Sequence, residues 1–462
     1  MLNDTITAPA TAMTGSGIGI IRVSGERAIE ITSNLFPDLI KMKSHTIRYG
    51  FLFDGKKIID EVMISLMKAP RSYTREDVVE INCHGGVRVM NQILSCLVKN
   101  GARLAEPGEF TKRAFLNGRI DLSQASAVMD IISSKNDFAL KCSVNQLKGN
   151  VSDAIKEIRA EILFQIAYIE AALDDPENYS LDEYDKILYE KIEIISEKLN
   201  KLIKSADEGK VLKEGINTVI VGKPNVGKSS LLNILLGEER AIVTDIAGTT
   251  RDILSESVLI NGIMLNIIDT AGIRDTEDII ESIGVERTLK YINEAELIFY
   301  LIDSSVKLDV NDYRIVDLIK DRRVIVLYNK TDIEAQISND ELMDIVDKIN
   351  PHVDNLVDGV IKISTKNSTG IGDIGEIIRK MFVKGAIDND DEVYITNERH
   401  KETLINALES IKQVMKSIKD GMPEDFLTID MMSGYEWLGR IIGEMVDDDL
   451  VDEIFSRFCV GK

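Results

Sequence analysis

Hydrophobic and polar residues recur with different periods in successive parts of this chain, and the changes of period divide it. Over residues 1–118, short apolar runs at 18–23, 62–66 and 78–82 are separated by turns, and a longer amphipathic run covers 87–99. Strands and helices mixed in this way predict a compact α+β unit. From about 122 to 212 the pattern turns helical: Ala, Leu, Ile, Glu and Lys abound and Gly and Pro are nearly absent, as in antiparallel helices packed on one another. A similar pattern returns at 391–458. Between the two, apolar runs at 219–221, 255–260, 264–268, 297–302, 324–327 and 360–363 read as strands separated by helices. Asn261-Gly262 marks a tight two-residue hairpin between the second and third. The simplest architecture is multidomain α/β plus α: an N-terminal α+β domain at 1–118, a discontinuous helical domain at 119–214 and 384–462, and an inserted module at 215–383.

Composition narrows the picture. A hydrophobic content of 44% with 29% charged residues is that of a globular protein, and 462 residues suffice for about three domains. No apolar run approaches the ~18 residues a membrane span requires. Residues 1–23 carry no basic segment ahead of an apolar one, so no secretory leader is expected. Cys83, Cys96, Cys142 and Cys459 are scattered without a Cys-x-x-Cys pair, which implies neither a zinc site nor a disulfide framework and suits a reducing cytoplasm. The net charge of −22 argues against nucleic acid wrapping the whole surface. Residues 1–118, however, hold 15 Lys+Arg against 12 Asp+Glu, a net of +3, so the rest of the chain carries −25. An RNA contact is therefore expected on or near the first domain, or shared with a basic partner.

The sharpest chemistry lies in the inserted module. Gly222-Lys-Pro-Asn-Val-Gly-Lys-Ser229 follows an apolar run and leads into Ser230-Leu-Leu-Asn-Ile-Leu-Leu236. A strand, a Gly-x-x-x-x-Gly-Lys-Ser loop and a helix in that order cradle phosphates. Glycines let backbone N–H groups turn toward the anion, Lys228 reaches the β- and γ-phosphoryls, and the Ser229 hydroxyl takes a magnesium. The helix also points its positive end at the same anion. Asp269-Thr-Ala-Gly272 follows a strand 41 residues after Lys228. Its carboxylate can hold the magnesium through water, and the Gly272 N–H can sense the γ-phosphate. Asn329-Lys-Thr-Asp332 ends another strand, and Asp332 can accept from both the ring N–H and the exocyclic amine of guanine, where adenine presents a lone pair instead. Ser364-Thr-Lys366 completes the base pocket. Three motifs in this order, each at a strand end and beside a single antiparallel strand pair, predict a Ras-like module that binds GTP.

Hydrolysis is less plainly written. Ile273 follows the Asp-x-x-Gly motif where many GTPases carry a water-orienting Gln, and an apolar side chain cannot orient water. Arg251 and Arg274 are candidate charge stabilisers and Glu281 a candidate water-orienter, though on spacing alone each reads rather as a solvated surface charge. In the first domain, Gly15-Ser-Gly-Ile-Gly19 fails as a dinucleotide fingerprint because its glycines precede the strand, so a tight turn leading into that strand is expected.

Gly248-Thr-Thr-Arg-Asp252, Asn225 in the phosphate loop and Phe458-Cys-Val-Gly-Lys462 resemble the MnmE/TrmE family of tRNA-modification GTPases. So do Ile20-Ile-Arg-Val-Ser-Gly25, Glu80-Ile-Asn-Cys-His-Gly-Gly86, Glu106-Pro-Gly-Glu-Phe-Thr111 and Gly118-Arg-Ile-Asp-Leu-Ser-Gln124. The likeness runs end to end and includes the inserted order of domains. It implies a nucleotide site made of Asn225, Val226, Gly227, Lys228, Ser229 and Ser230, then Thr244, Asp245, Ile246, Ala247, Gly248, Thr249 and Thr250. Asp269, Thr270, Ala271 and Gly272 follow, with Asn329, Lys330, Asp332, Ser364, Thr365 and Lys366 around the base. The resemblance further implies magnesium on Ser229 and Thr250, and potassium on Asn225 with oxygens of Thr244, Ile246 and Thr249. That potassium would stand where other GTPases place an arginine finger. Glu281 would orient the attacking water, with Lys228 as the other catalytic group. Two such modules would meet across their nucleotides, making hydrolysis depend on a homodimer.

In the first domain the resemblance places Arg22, Glu80 and Arg119, with Lys462, at folate-binding positions. A carboxylate can accept from a pterin's amino and ring N–H groups while cations meet the glutamate tail. Taken alone, Arg22 and Glu80 read rather as an ion pair between neighbouring strands. The implied activity is the GTP-hydrolysing part of a cytoplasmic enzyme that adds an aminomethyl or carboxymethylaminomethyl group at carbon 5 of a wobble uridine in tRNA. A tetrahydrofolate derivative would supply the one-carbon unit. FAD would reside on a flavoprotein partner of the MnmG/GidA type in a heterotetramer, in keeping with the lack of an FAD fingerprint here. The alternative is a ribosome-assembly or regulatory GTPase switch without RNA chemistry, which would lack the folate-like first domain and the Cys-Val-Gly-Lys end. Two departures from the family stand out. The turn at 12–17 lacks the usual prolines and some glycines, and Arg119 stands where lysine is also common. Cys459, a thiol with no His in its local sequence, is a weak nucleophile candidate.

Overall fold

The computed structural model describes residues 4–238, 256–268, 290–349, 360–382, 393–446, 448–456 and 458–462. The chain forms two compact units, one of Met1–Ile132, Asn145–Ile195 and Asn406–Lys462, the other of Ser133–Val144 and Ser196–Ile405.

In the first unit, β1 (Ile6–Pro9), β2 (Ser16–Ser24), β3 (Thr46–Asp54), β4 (Lys57–Met67), β5 (Val78–Gly85) and β6 (Arg103–Leu104) form a sheet in the order β3-β4-β5-β2-β1-β6. All neighbours are antiparallel except β1 and β6. Period-two alternation sets the faces: Val79, Ile81 and Cys83 of β5 are buried, while Glu80, Asn82 and His84 between them are not. Helix Val87–Lys99 lays Met90, Ile93, Leu94 and Leu97, spaced three and four apart, into that same core. Each such fully buried side chain contributes roughly 1.5–3 kcal/mol. Of the expected turn at 15–19 only Gly15 lies outside β2; Ser16 to Gly19 are already strand, and their pairing with β5 shifts register between Ser16 and Gly19. A Cβ at Gly19 would stand 2.6 Å from the Met90 sulfur, so a larger residue there would force that buried side chain to repack.

A charged core lies beside the apolar one. Arg113, on helix Glu109–Leu116 and 1% exposed, meets Asp4 (2.6 Å), Glu109 (3.0 Å) and Glu76 (3.1 Å). Arg103 bridges the same Asp4 and Glu109. Burial alone would raise the Glu109 carboxyl, but hydrogen bonds from Arg103, the Glu106 N–H and Arg113 hold it below the ordinary value. Helix Asn150–Asp174 packs on helix Glu424–Ile442, with the Arg159 guanidinium 4.0 Å from the Tyr435 ring centroid.

In the second unit, β7 (Ile216–Val221), β8 (Glu256–Ile260), β9 (Ile263–Ile267), β10 (Leu297–Asp303), β11 (Val324–Asn329) and β12 (Val360–Lys362) form a sheet in the order β12-β11-β10-β7-β9-β8. Its neighbours are parallel except the β8–β9 pair. The hairpin falls at Asn261 and Gly262, both with positive φ (48° and 80°), the conformation an Asn-Gly turn favours. β10 and β11 are buried at every residue because both faces are covered. Phe299 and Leu301 pack into one apolar cluster, and Ile298, Tyr300 and Ile302 into the other. No described helix is long and apolar enough to cross a membrane.

Candidate functional site

The phosphate loop joins β7 to helix Lys228–Glu238. Its path depends on two glycines. Gly222 has φ +154°, and a Cβ there would stand 2.6 Å from the Leu301 carbonyl oxygen. Gly227 has φ +105°, and a Cβ would collide with the Asn329 amide. Asn225 takes the left-handed conformation (φ +61°) and is exposed at the loop's outer edge, with Ser229 and Ser230 exposed at the first helical turn. Val226 is buried and anchors the loop to the apolar cluster beneath it.

Inside the loop the Lys228 ammonium donates to the carbonyl oxygens of Gly222 and Lys223, both at 2.8 Å. Burial lowers its pKa to about 8. Lys223 turns the other way and pairs with Asp312 (2.7 Å) and Asp309 (3.1 Å), which cap helix Val310–Ile319. Burial alone would lower the Lys223 ammonium, but its hydrogen bonds to Asp312 and Asp309 raise it. The loop is thus tied to a helix by a residue whose place within the Gly-x-x-x-x-Gly-Lys-Ser pattern is unrestricted. Sequence reasoning missed this tie. The local clue was the Asp309-x-x-Asp312 capping box.

The base-side motifs converge on the same loop. The Asn329 side-chain amide, at the end of β11, donates to the Val226 carbonyl at 2.7 Å and accepts from the Thr365 N–H at 3.0 Å. The Ser364 hydroxyl donates to Asp332 at 2.7 Å and lowers that exposed carboxyl. Lys330, also left-handed (φ +64°), pairs with Asp303 at 2.6 Å, a partner the sequence did not suggest. Asn225, Val226, Gly227, Lys228, Asn329, Lys330, Asp332, Ser364 and Thr365 therefore stand around one loop and two strand ends, next to Lys366 in the chain. The expected positions at 244–250, 251, 269–274 and 281 lie outside the described residues.

The first unit holds the second expected site. Arg22 on β2 and Glu80 on β5 sit directly opposite in register and form an ion pair at 2.8 Å, the cross-strand pairing their types alone suggested. A further Arg22 nitrogen donates to the Gly461 carbonyl at 3.2 Å, which places Lys462 next in the chain. The Arg119 guanidinium lies 4.7 Å from the Tyr73 ring centroid, and Arg22 lies 5.6 Å from the same ring. Arg22 and Arg119 thus share one aromatic side chain, Tyr73, that the sequence did not single out, while Glu80 and the Gly461–Lys462 end meet them through Arg22. Cys459 is exposed, whereas burial pushes Cys83 up to about 11 and Cys142 up to about 12, leaving those two unreactive.

The pattern that describes the MnmE helical domain matches residues 122–459, and that of the GTP-binding protein TrmE N-terminus matches residues 5–119. The tRNA modification GTPase MnmE of Lachnoclostridium phytofermentans is 51% identical over 468 residues, covering 100% of both chains. This chain belongs to the MnmE family. The MnmE of Acetivibrio thermocellus is 47% identical, covering 99% of each chain. That of Enterococcus faecalis is 45% identical, covering 99% of this chain and 98% of its own. The MnmE likeness therefore spans both units and both sites.

Proposed function

We propose that this chain is the GTP-hydrolysing component of a tRNA-modifying enzyme acting at carbon 5 of the wobble uridine. The observation that carries this reading is end-to-end identity of up to 51% with proteins named tRNA modification GTPase MnmE. The Asn329–Thr365 and Ser364–Asp332 hydrogen bonds, with Asn329 tied to the phosphate loop at Val226, support it. In this reading the N-terminal domain spans 1–118, the helical domain 119–214 and 384–462, and the GTPase domain 215–383. The two crowded glycines and the exposed Ser229 fit a magnesium-bound nucleotide, with Ser229 and Thr250 as protein ligands. When bound, that ion would neutralise charge on the phosphoryl oxygens. Lys228 would leave its two carbonyl partners for the β- and γ-phosphates. Asp332 would select guanine, and Glu281 would orient water. Asn225, at the loop's edge, would hold potassium with Thr244, Ile246 and Thr249 where two GTPase domains meet.

In the first domain Glu80 would read a pterin and Arg22, Arg119 and Lys462 would meet the rest of a tetrahydrofolate derivative. FAD would come from a flavoprotein partner. Deleting the gene and analysing wobble uridines by mass spectrometry tests the reading: the carbon-5 modification is lost, the wild-type chain restores it, and Lys228→Ala does not. An unchanged nucleoside profile in the deletion strain would falsify it. A separate measurement addresses the dimer. GTP turnover per chain should rise with chain concentration in potassium buffer and stay low in sodium, whereas equal rates in both would remove the alkali cation from the mechanism.

A further inference from the structure

A cleft of about 440 Å³ opens beside Tyr73, and its polar wall is cationic: Arg71, Arg75 and Arg119, with His45 at the rim. Among the described residues none of these three arginines has a carboxylate partner. Elsewhere in the same unit Arg22, Arg48, Arg103 and Arg113 are all ion-paired. Two of the three cleft arginines are held in place. Arg75 donates to the Asn117 carbonyl at 2.8 Å, and Arg119 lies against Tyr73. Three guanidiniums lining one cleft without a counter-charge, two of them held in place, favour an anion carrying several carboxylates or phosphates.

Tyr73 also links this cleft to the Arg22–Glu80 pair, since both Arg22 and Arg119 approach its ring. We propose that the cleft binds the oligo-γ-glutamyl tail of a folate whose pterin occupies the Arg22–Glu80 site, an inference that rests on the folate reading above. Each added γ-linked glutamyl unit brings one α-carboxylate, so an extended tail presents acids in series to guanidiniums in series. The size of the cleft suits a ligand segment of a few residues, whereas an RNA footprint is broader. The ring in the cleft is engaged by guanidiniums and offers no open platform for a base.

The test measures binding of 5-formyltetrahydrofolate as its monoglutamate and its triglutamate to the full chain by calorimetry, for the wild type, Arg71→Gln and the Arg71→Gln/Arg75→Gln double variant. The triglutamate should bind the wild type about tenfold tighter at low salt, an advantage that shrinks as salt rises. Arg71 is exposed, so Arg71→Gln should leave the monoglutamate affinity unchanged, which also reports an intact fold, while cutting the advantage to about threefold or less. Equal affinity of the two ligands for the wild type, or an advantage that survives both substitutions, overturns the inference while leaving the folate site standing. No binding of either ligand overturns the folate reading and this inference together. Weaker tRNA binding by the double variant with an unaltered preference for the triglutamate assigns the arginines to phosphates and overturns it as well.

Discussion

Lys228 is held by two backbone carbonyls and has little water around it, so its charge is stabilised less than in solution and its pKa falls to about 8. Phosphates arriving in the loop would stabilise the ammonium and raise that value. Between the free and bound values the free side chain is neutral and the bound one charged, so binding takes up a proton there. Affinity for GDP should therefore be flat from about pH 7 to 7.5 and weaken above about 8, approaching tenfold per pH unit. Calorimetry at pH 9 in buffers of different ionisation enthalpy should record uptake of close to one proton. A dissociation constant unchanged from pH 7 to 9.5 would show that Lys228 is already charged without nucleotide. The sequence made Lys228, Asn329, Asp332 and Ser364 legible because phosphate and guanine demand those residue types at strand ends. It left Lys223 and Asp303 obscure. Their partners lie 86 to 89 and 27 residues away, at spacings that only the folded sheet determines.

At the scale of elements, local propensity and packing disagree at Gly209. This residue sits inside helix Tyr184–Glu214, where replacing Gly by Ala ordinarily stabilises by about 1 kcal/mol. Here an added Cβ would press into the Ile395 carbonyl oxygen and lie 3.2 Å from the Ile395 carbonyl carbon. That segment has little freedom to retreat: Ile395 is fully buried, and its N–H donates to the Ser205 hydroxyl at 3.3 Å. Overpacking should win, so Gly209→Ala is expected to destabilise by about 1–3 kcal/mol and lower the melting temperature. An unchanged or raised melting temperature would mean that the backbone moves aside at little cost. Strands were legible where one face is buried, as in β5, or where an Asn-Gly turn fixes the hairpin, as between β8 and β9. β3 shows period-two alternation at Ile47, Tyr49 and Phe51, yet these side chains are exposed, so alternation there marks a strand without marking a buried face. The segment 133–144 continues the helical pattern of 122–212, yet it belongs to the second unit, where its Phe138 packs edge-on against Tyr394, 5.7 Å between centroids. Helical periodicity reports an apolar face, not what covers it.

Charge is the property that governs the whole molecule's dealings with tRNA. The chain carries −22 and residues 1–118 an excess of +3; ion pairs engage Arg22, Arg27, Arg48, Arg103, Lys112 and Arg113, each with an acid, so the excess stands but fewer cations are left to meet phosphates. A protein that meets RNA with few free cations releases few counterions, and its acidic remainder repels the phosphates at long range. Added salt weakens the few attractive contacts and also screens that repulsion, and the two effects oppose one another. If about three phosphates are neutralised, raising salt from 50 to 200 mM should weaken tRNA binding by no more than about 40-fold. The loss would be smaller still when an anionic ligand fills the arginine cleft. Binding isotherms across that range, with and without bound folate, measure the slope directly. A steeper loss, on the order of 10³-fold, would require six or more phosphate contacts, which the unpaired cations of the first 118 residues would have to supply almost entirely against the field of the rest of the chain. Such a result would move the RNA surface to a basic partner or to the residues outside the described structure.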